Sequence, residues 1–127
     1  MTLHLLSPLD GRYAETTSPL RDHFSEFAFL RDRVRVELNF LPALSKTGLV
    51  RPLSDSESAH LESVLENFSD ADAELILEYE RKTRHDVKAI EYFIQSKLMD
   101  SASLLANDGS KLPDSKGMQD LIPWIHF

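Results

Sequence analysis

Thr83-Arg84-His85-Asp86-Val87-Lys88-Ala89-Ile90-Glu91-Tyr92-Phe93 is the stretch from which the rest of the chain is read. It predicts the first turns of a helix. Thr83 and Asp86 stand three apart, in the S/T-x-x-D/E pattern by which a hydroxyl and a carboxylate cap a helix reciprocally. Behind that cap Val87, Ile90, Ile94 and Leu98 recur on one helical stripe, so one face is expected to be buried. On this reading Arg84, His85 and Asp86 are the first three helical residues of a segment 84–99. Free N–H groups and the positive end of the dipole gather in such a first turn. With Arg81, Lys82 and Lys88 nearby, the turn reads either as a basic spot for an anion such as phosphate or as an ordinary capped surface helix.

The rest of the chain reads as helical too. Ser18-Pro19 predicts the start of a long helix, with serine as cap and proline at the first position. Leu20, Phe24, Phe27, Val34, Leu38 and Leu41 follow at helical spacing, and Leu30 widens the stripe. Phe24, Phe27, Phe29 and Phe40 are expected to pack rather than to cage a ligand. Arg31, Arg33 and Arg35 interleave with Asp32 and Glu37 as a solvated or interface face. The helix is expected to stop between Pro42 and Gly48. Ser54-x-x-Glu57 and Ser69-x-x-Asp72 are two further capping boxes. The first precedes Leu61, Val64, Leu65 and Phe68, the second Ala73, Ile76 and Leu77. The second helix runs almost directly into the 83–93 stretch, predicting a kinked pair or one interrupted helix. No strand pattern, repeat or low-complexity segment stands out.

Near the start, Ser7-Pro8-Leu9-Asp10-Gly11-Arg12-Tyr13 reads as a turn, with Gly11 free to take a positive φ. It would present the planar fork of Arg12 beside the phenol of Tyr13, two groups suited to phosphate or carboxylate. A solvated terminal turn is the plainer alternative. Near the other end, Asn107-Asp108-Gly109 and Pro113 to Gly117 read as a loop. Leu121, Ile122, Trp124, Ile125 and Phe127 then restore apolar character, as in a docked terminus or a truncated chain.

Composition narrows the function. The chain has 127 residues, 42% of them hydrophobic, which suits one ordinary domain or part of a larger one. A net charge of −7 argues against nucleic acid or an anionic membrane as partner. No cysteine is present, so thiolate chemistry is excluded. His4, His23, His60, His85 and His126 include no pair at metal-ligand spacing, and neither metal nor cofactor is expected. No apolar run is long enough for a signal-peptide core or a membrane span, and a cytoplasmic protein is expected.

The 7–13 and 83–93 stretches together resemble the amino-terminal part of the adenylosuccinate lyase family, within the fumarase/aspartase superfamily. Ile125-His126-Phe127 resembles the run leading into that family's Thr-Ser catalytic segment. The resemblance covers nearly the whole chain except about 100–117. It implies an all-α fold, with residues 1–110 as the N-terminal helical lyase domain. Residues 111–127 would be a loop and the truncated start of the central helix bundle. It implies a homotetramer that eliminates fumarate from adenylosuccinate and from the related succinyl-carboxamide ribotide. It also implies that Arg12, Tyr13, Arg84, His85 and Asp86 are substrate-binding. Asparagine is expected at position 84 in the branch this sequence most resembles, where arginine stands here. The family's catalytic serine and histidine would lie beyond Phe127, so no catalytic residue is expected within these residues and the chain alone is expected to be inactive. Sister lyases such as argininosuccinate lyase or fumarase, and a non-catalytic helical interaction module, are the alternatives.

Overall fold

The computed structural model describes residues 2–100 and 117–126. Among them every regular element is helical: α1 (Ala14–Thr17), a 3-10 turn (Ser18–Leu20), α2 (Arg21–Phe24), α3 (Glu26–Thr47), α4 (Asp55–Glu66), α5 (Asp70–Thr83), α6 (Asp86–Met99) and a terminal 3-10 helix (Gln119–Trp124). The Asn107–Gly109 turn, most of the 113–117 turn and the 110/111 boundary lie outside the described residues.

α3 is the spine. Leu30, Val34, Leu38, Leu41 and Leu44 form its buried stripe at steps of three and four. They share one core with Leu61 of α4, Ala73 and Ile76 of α5, and Ala89, Ile90, Phe93, Ile94 and Leu98 of α6. Phe68, between α4 and α5, bridges α3 and α6 by ring contact, with centroids 5.3 Å from Phe27 and 5.8 Å from Phe93. α5 and α6 form an antiparallel hairpin. Lys97 Nζ lies 2.9 Å from Asp72 Oδ1 at its open end, and the Tyr79 and Tyr92 rings are 6.0 Å apart further along.

Both serine boxes form as expected: Ser54 with Glu57, and Ser69 with Asp72, each exchange side-chain and backbone hydrogen bonds. The long helix departs from expectation at its start and ends within the expected stretch. Ser18 does not cap it; its hydroxyl donates to the Glu15 carbonyl at 3.0 Å. The true cap is Ser25, in extended backbone, whose Oγ accepts the Ala28 N–H at 3.1 Å. This break turns the preceding residues out of the stripe. Leu20 and Phe24, expected in the core, are 51% and 82% exposed. Phe29 and Phe40 also fall on the outer side of α3. Pro42 removes one backbone donor without ending the helix, which runs on to Gly48 at φ 80°.

Gly11 is not at positive φ, in contrast to expectation; the 7–13 turn is instead closed by Asp10 Oδ1 accepting the Ser7 N–H at 2.8 Å. The apolar end is docked. Met118, Leu121 and Ile125 are buried, and the terminal 3-10 helix packs on α6.

Candidate functional site

The joint between α5 and α6 differs from the predicted capped start. Thr83 is the last residue of α5, not the cap of α6. Arg84 takes the left-handed conformation, φ 53° and ψ 34°, and its N–H closes α5 on the Glu80 carbonyl at 2.7 Å. His85 is then extended and becomes the cap, with Nδ1 accepting the Lys88 N–H at 3.2 Å. Only Asp86 of the three is helical. The hydroxyl of Thr83 donates to the His85 carbonyl at 3.1 Å and accepts the His85 N–H at 3.3 Å, stitching the joint.

Two consequences follow for chemistry. An acceptor at Nδ1 needs its lone pair, so in this cap His85 is the neutral tautomer with its proton on Nε2. That leaves one N–H donor for an anion. Asp86 does not reach back to Thr83. Its Oδ2 accepts from Arg33 Nη1 of α3 at 2.8 Å, and its Oδ1 accepts the Val87 N–H at 2.8 Å. The Arg33 hydrogen bond, aided by the Val87 N–H, holds the Asp86 carboxyl below its usual range.

The basic spot is smaller than the sequence suggests. Lys82 is bound to Glu78 at 2.6 Å and Lys88 to Glu91 at 2.7 Å, each within its own helix. Arg84 and Arg81 instead line an open hollow of about 350 Å³ with Glu26, Leu77 and Glu80. Arg12 lines a separate hollow of about 240 Å³ in the amino-terminal turn, and Tyr13 is half exposed. Glu26 of α3 shares the Arg84 hollow, while Ser25 shares another with Leu9 and Asp10 of the amino-terminal turn. Among the described residues, no hydrogen bond or ion pair joins Arg12 or Tyr13 to Arg84, His85 or Asp86.

Sequence reasoning passed over a third group beside the joint. Glu37, one turn beyond Arg33, accepts from the backbone N–H of His126 at 3.0 Å, with its other oxygen 2.7 Å from His126 Nδ1. His126 is held at φ 56°. Arg33, Val36, Glu37, Val87, Ile90 and His126 line a mainly apolar, half-open cavity of about 200 Å³ between α3 and α6. The i, i+4 spacing of Arg33 and Glu37 was the available signal, and it looked like a solvated charge face. A second such cluster joins Arg51 to Glu57 and Asp120. Arg51 meets the two Glu57 oxygens at 2.9 and 2.7 Å and those of Asp120 at 2.6 and 3.0 Å. Glu57 is fully buried.

Among the described residues, no group of three or more metal-ligating side chains converges, and no helix is long and apolar enough to cross a membrane.

No family model matches the chain. It is similar to curated proteins named adenylosuccinate lyase. That of Haemophilus influenzae is 46% identical over 107 residues, covering 82% of this chain and 24% of the relative. That of Vibrio cholerae is 42% identical over 99 residues, 76% of this chain and 22% of the relative. That of Dictyostelium discoideum is 39% identical over 100 residues, again 76% and 22%. The chain thus spans about a quarter of the length of the curated relatives it matches.

Proposed function

We propose, on the premise that this chain belongs to the adenylosuccinate lyase family, that it supplies the nucleotide-binding amino-terminal part of such an enzyme. The observation that carries this is the 46% identity to the Haemophilus influenzae enzyme over four-fifths of the chain. The reaction would be β-elimination of fumarate from adenylosuccinate, giving AMP, and from the succinyl-carboxamide ribotide. Elimination needs a base to take a proton beside a carboxylate and an acid for the leaving amine. Neither role is assigned to these 127 residues. Their part is binding. His85 offers Nε2–H and Arg84 its fork at the start of α6, where backbone N–H groups and the dipole favour an anion.

Arg12 and Tyr13 would add donors to the same nucleotide from the amino-terminal turn. Since no hydrogen bond or ion pair among the described residues joins them to the α5–α6 joint, ligand bridging or a neighbouring subunit of a homotetramer would have to unite the two groups. The setting would be cytoplasmic.

The test is titration of the purified chain with AMP and, separately, with fumarate alone. AMP should shift the imidazole signal of His85, and fumarate should not. Arg12→Ala should weaken AMP binding by about 1.5–3 kcal/mol, the usual worth of a hydrogen bond to a charged group. In an assay of fumarate release the chain alone should give no turnover. A response to fumarate equal to that to AMP would point to a sister lyase and overturn the nucleotide assignment.

A further inference from the structure

Asp86 poses a problem for an anion site. It places a carboxylate in the same turn that should receive a phosphate, and within that turn it takes only the Val87 N–H, through Oδ1. Its partner comes from elsewhere in the chain. Arg33 Nη1 approaches Asp86 Oδ2 at 2.8 Å across 53 positions of sequence, and the Arg33 guanidinium is itself seated 4.3 Å over the Phe29 ring. Stacking fixes the plane of an arginine while leaving its fork free to hydrogen-bond. The remaining groups facing Asp86 are weak or already used. His85 Nδ1 lies 3.9 Å from Asp86 Oδ1 and is engaged with Lys88 N–H, and Lys88 Nζ is bound to Glu91.

We propose that Arg33 is a positioning residue of the α5–α6 joint: it neutralises Asp86 and pins the first turn of α6 to α3, so that an anionic ligand at His85 is not opposed by the Asp86 carboxylate. This rests on the reading of residues 84–86 as the nucleotide-binding joint. Arg33 does not touch the ligand. It acts through Asp86, and it belongs to the helix that also holds His126 through Glu37, so α3 fixes both walls of the 200 Å³ cavity beside the joint.

The experiment compares the wild-type chain with Arg33→Gln and Arg33→Lys by NMR. The first readout needs no ligand. The side-chain carboxyl carbon of Asp86 should titrate at higher pH in Arg33→Gln than in wild type, and Arg33→Lys should bring it back most of the way. The second readout is AMP titration followed at His85. Arg33→Gln should raise the dissociation constant on the order of threefold to tenfold, the effect of one uncompensated charge several ångströms away in a solvated site. Arg33→Lys should recover most of that affinity, which a purely packing role for the planar guanidinium would not allow. An unmoved Asp86 titration, or Arg33→Gln binding AMP as tightly as wild type, overturns the proposal. If wild type itself ignores AMP, the nucleotide reading fails, while the carboxyl titration still decides whether Arg33 governs Asp86. Should Arg33→Gln not fold, the Arg33→Lys titration with and without high salt takes its place: the Asp86 midpoint should rise with salt, and a salt-independent midpoint refutes the pairing.

Discussion

Removing the guanidinium of Arg51 should expose what a fully buried carboxylate costs. Glu57 has no exposed surface, and its two oxygens are met by Arg51 at 2.9 and 2.7 Å. One of them also accepts the Ser54 N–H at 2.8 Å to complete the cap of α4. In Arg51→Ala the carboxylate keeps that single N–H and loses its counter-charge. Breaking a buried pair from one side costs about 3–5 kcal/mol. Arg51 is about a third exposed, at 35%, so water can approach the vacated place and the lower end applies. Asp120 also loses its partner, but at 52% exposure it is readily hydrated and adds little. The expected loss is therefore about 3 kcal/mol, or a fall in melting temperature of about 10 °C. The assay is urea unfolding followed by far-UV circular dichroism, for wild type, Arg51→Ala, Glu57→Gln and the double variant. Glu57→Gln leaves a neutral amide able to accept from Ser54, so Arg51→Ala should cost less in that background than in wild type. The coupling should be at least about 1 kcal/mol. Additive single effects, or an Arg51→Ala loss below about 0.5 kcal/mol, would refute the view that Arg51 compensates a buried charge.

Other perturbations test the joint and the caps. Arg84→Gly should stabilise the chain by about 0.5–1 kcal/mol in thermal unfolding, because φ 53° strains an arginine and suits glycine, and the same change should weaken AMP binding. Gly48→Ala, at φ 80° in open space, should destabilise by about 1 kcal/mol through backbone strain alone. Ser25→Ala should cost about 1 kcal/mol by removing the cap of α3. Asp72 gives a pH test. Burial raises its carboxyl, but the hydrogen bonds from Lys97 and Ser69 outweigh burial and the folded value is lowered. A lowered folded value means stability present above the unfolded carboxylate range and lost as pH falls through the folded value. The stability difference between wild type and Asp72→Asn should therefore be constant near neutrality and shrink only below pH ~4, as read from urea midpoints.

The helical plan was legible because its signals are local. Ser54 with Glu57 and Ser69 with Asp72 each satisfy a donor and an acceptor within four residues, and the further partners of those carboxylates, Arg51 and Lys97, bind them without displacing the boxes. The stripe from Leu30 to Leu41 likewise needs only the helical period. Ser18-Pro19 misled because a serine before proline marks any helical turn, and here it marks a single 3-10 turn. What decides the long helix is the extended backbone of Ser25, and that residue carries no second box partner to announce it. The stop was expected between Pro42 and Gly48, and Gly48 sets it, because α3 is held on both sides of Pro42 by buried Leu38, Leu41 and Leu44. Packing of that extent offsets one missing hydrogen bond.

The site was legible in its residues and not in its wiring, and the same competition explains why. Thr83 and Asp86 satisfy the capping-box spacing as well as the serine pairs do. A box at Thr83 would have placed the break at Thr83 itself, with residues 84 and 85 in the first turn of α6. Thr83 instead completes α5, and the chain reverses just after it so that Ile76 and Phe93 reach one core. The reversal is made by Arg84 in the left-handed region, which hands the cap to His85 and leaves Asp86 without its local partner. Arg33 then supplies one from α3. The predicted acid of the cap is thus converted into a tertiary ion pair. The imidazole read as part of a basic spot becomes the cap itself, with Nδ1 turned to the Lys88 N–H. Local spacing names the groups at such a joint; which of them remain available to a ligand is set by the distant element that takes up the rest.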